Sequence, residues 1–102
     1  MSGHRLDDET IEGGHVLHVI GALDAETVFE ARTKVDALSV DPNDTFVIDL
    51  SRTDFMDSSG LGFLAGLARR ADAGGWRFRT RGATGQVERL LQRVGWPRHE
   101  EP

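Results

Sequence analysis

Thr45-Phe46-Val47-Ile48-Asp49-Leu50 and, a few residues on, Phe55-Met56-Asp57-Ser58-Ser59-Gly60-Leu61-Gly62 form the stretch whose reading decides the fold. The first run sets Phe46, Val47 and Ile48 in succession, which suits a strand covered on both faces. The second opens a helical pattern over residues 58–73. There Leu61, Leu64, Leu67, Ala68 and Ala71 share one face at about 100° per residue. A strand that hands over to a helix is half of a βα unit. At the junction, two hydroxyls, a carboxylate and two glycines crowd a helix N-terminus. Such an end presents unpaired backbone N–H groups and partial positive charge, so it suits a bound or covalently attached phosphate.

Further elements follow on either side. Residues 6–12 and 15–21 flank Gly13-Gly14, a two-residue loop of the kind that closes a β-hairpin. Asp24 caps a helix over residues 25–38 with Val28, Ala31, Val35 and Leu38 as its apolar stripe. Asp41-Pro42-Asn43-Asp44 is a turn by its chemistry. Beyond the second helix, which stops at Gly74-Gly75, residues 76–81 alternate Trp76, Phe78 and Thr80 against Arg77, Arg79 and Arg81, a strand with one wet face. Thr84 caps a last helix carrying Val87, Leu90, Leu91 and Val94, and Gly95 and Pro97 end it. The order β-β-α-β-α-β-α predicts a single α/β domain over residues 1–102 with a mixed, mostly parallel sheet. Residues 1–5 and 97–102 read as loose ends.

Composition narrows the function classes. The 102 residues contain no cysteine, which excludes disulfides and Cys-based metal sites, and no cofactor or metal is expected. No apolar run approaches membrane-spanning length and residues 1–14 have no signal-like core, so the expectation is a soluble, cytoplasmic protein. The net charge of −5 is unevenly spread: residues 1–57 carry 13 acidic and 4 basic side chains, residues 58–102 carry 4 acidic and 8 arginines. The acidic total and the lack of binding motifs argue against nucleic acid. The arginines fit a solvated face, or a surface that orients an acidic protein partner.

Two catalytic or cofactor readings fail on their details. Gly60, Gly62 and Gly66 approximate a dinucleotide fingerprint, but the following strand ends Arg79-Thr80-Arg81, without the acidic residue that would hold a ribose. A hydrolase needs a base beside Ser58 or Ser59. His4 and His99 lie towards the ends, and His15 and His18, three apart on a strand, point to opposite faces. The expectation is therefore no enzyme activity. Phe63 falls outside the apolar stripe of its helix, beside Gly66 and Arg70. It fits either partial burial against a loop or an exposed aromatic anchor for a partner.

The wording Asp57-Ser58-Ser59-Gly60-Leu61-Gly62, with Gly21-Ala22-Leu23-Asp24 ending the second strand, resembles the anti-sigma-factor antagonists of the STAS domain family. The resemblance covers most of the chain and implies a STAS-like fold with Ser58 as phosphoacceptor. It implies a partner switch, in which the unphosphorylated protein binds an anti-sigma factor, itself a serine kinase, and releases it once Ser58 is phosphorylated. A serine phosphatase would reset the state. Asp24, Asp57, Ser59, Gly60, Gly62 and Phe63 become the expected partner-binding residues. Ala22 departs from the family's usual Glu. The C-terminus is short relative to the family, in the manner of STAS accessory subunits of bacterial phospholipid-transport ABC complexes, which is the alternative reading.

Overall fold

Ile11 pairs with Gly14 across a tight turn, so the hairpin loop is Glu12-Gly13, one residue earlier than Gly13-Gly14. Gly13 takes the positive φ (+80°) that the turn demands. Gly14 is already in the strand, and a Cβ there would collide with the Thr45 carbonyl of the neighbouring strand. The computed structural model describes residues 3–97. The hairpin strands are β1 (His4–Ile11) and β2 (Gly14–Leu23), followed by α1 (Ala25–Ala37), β3 (Thr45–Asp49) and β4 (Thr53–Met56). The chain continues as α2 (Ser58–Gly74), β5 (Arg77–Arg81) and α3 (Gly85–Arg93). Because β1 starts at His4, His4 and Arg5 belong to the sheet rather than to a loose end. The expectation for residues 1–2 and 98–102, His99 included, lies outside the described residues.

The sheet is mixed, as the element order predicted. β1 is antiparallel to β2, and β2, β3, β4 and β5 run parallel, in the order β1-β2-β3-β5 with β4 also against β2. The short β4 is an addition to the predicted order. β3 lies along Gly14–His18 of β2; the chain then turns through Leu50 and Arg52 and comes back beside Gly21–Leu23 as β4. The Thr53 hydroxyl, buried, donates to the Val19 carbonyl at 2.6 Å and ties the kink to the centre of the sheet. Arg52-Thr53-Asp54 carries no apolar alternation, so only its pairing with a distant strand reveals it as sheet.

One face of the sheet supplies Leu17, Val19, Leu23, Phe46, Ile48 and Met56 to a core completed by Val28, Ala31 and Val35 of α1, Leu64 and Leu67 of α2, and Val87 and Leu91 of α3. Phe63 belongs to this core at 3 % exposure, which overturns the exposed-anchor reading. Arg70 lies seven residues after Phe63, about 20° short of two full helical turns. Its Nη1 reaches Asp36 Oδ1 of α1 at 3.1 Å, so that flank of α2 faces α1. The neighbouring helix covers what the stripe on α2 alone left open. Val94, expected on the α3 stripe, is instead 52 % exposed, just past the end of its helix. Among the described residues no helix is long and apolar enough to cross a membrane.

The other face of the sheet sets the buried pair Val16 and Val47 among polar side chains. His18 bridges Glu9 (Nε2–Oε1 2.7 Å) and Asp49 (Nδ1–Oδ2 3.2 Å), and Arg81 meets the same Asp49 oxygen at 3.2 Å. His15 points the opposite way, its ring against Phe46.

Candidate functional site at the start of the second helix

Leu23 at the end of β2 pairs with Met56 at the end of β4, so the residues that follow, Asp24 and Asp57, leave the sheet side by side. Each is the N-cap of a helix, in extended backbone conformation. Asp24 Oδ1 accepts the Thr27 N–H and the Thr27 hydroxyl, both at 3.2 Å. Asp57 Oδ1 accepts the N–H groups of Ser59 (2.9 Å) and Gly60 (3.2 Å). The backbone bond from Thr27 is the largest influence on Asp24 and holds its carboxyl below the ordinary carboxylate range. Two helix N-termini thus open at one end of the sheet, beyond the C-terminal ends of β2 and β4, where their dipoles add partial positive charge.

Within this frame Ser58 and Asp57 divide the work. Asp57 takes the capping bonds, whereas Ser58, the first residue of α2, is exposed and its hydroxyl has no hydrogen-bond partner among the described residues. Ser59 is half-buried. Gly60 is buried, and a Cβ there would sit 2.5 Å from the Leu23 carbonyl and 2.7 Å from Met56 Cγ. Glycine is what lets α2 start hard against the end of β2. Gly62, half a turn on, is exposed, and a Cβ there would meet nothing within 4 Å.

Of the expected site residues, Asp24, Asp57, Ser58, Ser59 and Gly60 therefore come together, Gly62 lies on the adjoining surface, and Phe63 turns inward. Two aromatics take the exposed place expected of Phe63: Phe29 of α1 is 77 % exposed and Phe55 of β4 45 %. Phe29 lies off the Val28, Ala31, Val35 stripe, a signal present in the sequence. The exposure of Phe55 depends on β4. A third residue, Gln86, hydrogen-bonds the backbone of Met56, and nothing local announces a contact 30 residues away. No histidine among the described residues is hydrogen-bonded to Ser58 or Ser59.

Residues 8–98 match the family model described as Mlab, STAS domain. Among solved structures, an anti-sigma factor antagonist from Mycobacterium paratuberculosis is 28 % identical with a TM-score of 0.68, covering 91 % of this chain and 79 % of that one. The Bacillus cell fate determinant SpoIIAA in its phosphorylated form is 26 % identical with a TM-score of 0.63, covering 92 % and 85 %. A sulfate transporter family protein from Wolinella succinogenes has a TM-score of 0.72 at 16 % identity, covering 86 % and 71 %, a likeness of fold alone. Curated protein sequences give no significant match.

Proposed function

The chain belongs to the STAS domain family, and from that premise we propose that it is an anti-sigma-factor antagonist whose partner binding is switched by phosphorylation of Ser58. The observation that carries the proposal is the division of labour at α2: Asp57 caps the helix and leaves the Ser58 hydroxyl exposed and unbonded. A serine that capped its own helix would lose a structural bond on modification. This one gains a phosphate without losing anything the fold uses.

The switch then follows from electrostatics. A phosphate brings a charge of about −1.5 to −2 at neutral pH. The fold tolerates it, because a helix N-terminus stabilises an anion. A partner surface fitted to a neutral serine does not. Burying an unpaired dianion beside Asp24 and Asp57 costs about 3–5 kcal/mol, and each 1.4 kcal/mol or so is tenfold in affinity. The partner is an anti-sigma factor with serine kinase activity, a serine phosphatase restores the hydroxyl, and the protein acts in the cytoplasm without catalysing a reaction itself. Asp24, Asp57, Ser59, Gly60 and Gly62 form the polar part of the contact, with Phe55 and Phe29 as the aromatic anchors in place of Phe63.

A second reading, an accessory STAS subunit of a phospholipid-transport ABC complex, draws on the match of residues 8–98 to the family model described as Mlab, STAS domain. Affinity capture of the endogenous protein separates the two. Recovery of a serine kinase that labels wild-type chain with ATP, but not Ser58→Ala, supports the antagonist. Recovery of a transporter ATPase and permease supports the second reading, and phosphate mapped to Ser59, Thr53 or Thr80 rules out the assigned acceptor.

A further inference from the structure

β4 pairs on one side with β2, and on its other side no strand lies against it among the described residues. At Met56 one side chain takes that place. Gln86 Oε1 accepts the Met56 N–H at 2.9 Å, and Gln86 Nε2 donates to the Met56 carbonyl at 2.8 Å. A primary amide carries one acceptor and two donors in a plane, so it can copy the edge of a neighbouring peptide. Gln86 is the second residue of α3, and the helix beneath it is anchored in the core through Val87 and Leu91.

The position of the clamp matters more than its chemistry. The Met56 carbonyl and the Asp57 N–H belong to one planar peptide unit. Fixing that carbonyl orients the peptide from which Asp57 caps α2, and Ser58 follows immediately. The preceding backbone is thus held from the β2 side by the sheet and from the opposite side by α3. Ser58 itself is exposed and has no hydrogen bond among the described residues to define where its hydroxyl points.

We infer that Gln86 is a positioning residue for the Ser58 segment: its clamp on Met56 sets the Asp57 cap and so the presentation of the Ser58 hydroxyl to the kinase. The inference rests on the Ser58 reading above and adds a residue from the other end of the chain to it. It also couples α3 to the switch, because displacing the segment must strain or break the two hydrogen bonds between the Gln86 amide and Met56.

The test compares the full chain as wild type, Gln86→Leu and Leu91→Ala. Gln86→Leu keeps a side chain of similar size and removes both bonds. Leu91→Ala weakens the α3 packing and leaves the clamp in place, so it reports what loss of stability alone does. Amide hydrogen exchange is measured well below all three melting midpoints, and Ser58 labelling is measured with ATP and the kinase recovered by Ser58-dependent capture. Gln86→Leu is expected to speed exchange at Ser59 and Gly60, whose bonds to Asp57 are not themselves mutated, by about tenfold, the scale of two net hydrogen bonds. It should lower labelling by a similar factor through kcat, with KM little changed. Leu91→Ala should do neither beyond its general loss of stability. Gln86→Glu, which keeps the acceptor for the Met56 N–H and loses the donor, should fall between, and serves if Gln86→Leu does not fold. Unchanged exchange at Ser59 and Gly60 in the Gln86 variants overturns the inference, as does wild-type labelling of Gln86→Leu. A wild-type chain that no captured kinase labels would instead sink the Ser58 reading, with exchange still deciding whether Gln86 positions the segment.

Discussion

Asp57→Ala is the sharpest probe of how the phosphoacceptor site is built. The carboxylate accepts two backbone N–H groups, from Ser59 and Gly60, and stands at the positive end of a 17-residue helix. Replacing an N-cap Asp by Ala costs about 0.5–2 kcal/mol, and two bonds from one carboxylate place this site in the upper half of that range. For a domain of this size about 1 kcal/mol shifts the midpoint by roughly 4–8 °C. Asp57→Ala should therefore melt roughly 5–15 °C below wild type in a circular-dichroism scan. Asp57→Asn should recover most of that loss, because Asn ranks with Asp at the N-cap. Ser58→Ala removes an exposed, unbonded hydroxyl and should stay within about 0.5 kcal/mol of wild type. The refuting result is the reverse order. If Ser58→Ala costs as much as Asp57→Ala, the serine is a structural cap and the proposed separation of capping from modification is wrong.

Phe63→Ala opens a core cavity and should destabilise by about 3–5 kcal/mol in denaturant titration. Phe55→Ala and Phe29→Ala should leave stability nearly unchanged and weaken partner binding by about 1–3 kcal/mol in calorimetry; binding unaffected by both would remove the aromatic anchors from the interface. Ser58→Glu should bind the partner far more weakly than Ser58→Gln, with part of the difference recovered at high salt. Equal weakness of the two at every ionic strength would mean exclusion by shape rather than charge. For acid stability, burial pushes the Asp49 carboxyl up, but bonds from Ser51 and the Arg81 guanidinium outweigh it and hold it below the usual range. A carboxylate depressed in the folded state stabilises above its unfolded value of about 4 and loses that contribution as pH falls through the folded value. Asp49→Asn should therefore narrow the gap between melting midpoints at neutral pH and at about pH 3; an unchanged gap would mean that Asp49 adds nothing to the acid dependence.

Much of the site is legible in residue order because its causes are local. A cap is a contact over two or three residues: Asp24 with Thr27, Asp57 with Ser59 and Gly60. An apolar stripe is a spacing within one helix, and Val28, Ala31 and Val35 are buried as that spacing requires. The C-cap Gly75 with φ of +74° likewise ends α2 where Gly74-Gly75 predicted. Residue order alone therefore locates the strand-to-helix junction, its carboxylate and its first serine. The exposed Phe29 is legible as well, since it lies off the stripe of its own helix.

What escapes the sequence depends on which distant element lies alongside. β4 exists because β2, some 30 residues earlier, offers it an edge over Gly21–Leu23. Phe63 is buried because α1 lies on that flank, a fact marked by the Asp36–Arg70 pair 34 residues apart. Gln86 reaches Met56 only because α3 folds back beside the end of β4. Residue order fixed the three helices, the side-chain caps of the first two and the order of every element but β4, since those free energies are settled within a turn or two of chain; Thr84, expected to cap α3, precedes that helix without a side-chain capping bond. The tertiary structure alone decided which flank of each helix is covered and what holds the backbone ahead of Ser58, because burial and cross-strand bonds belong to pairs of elements.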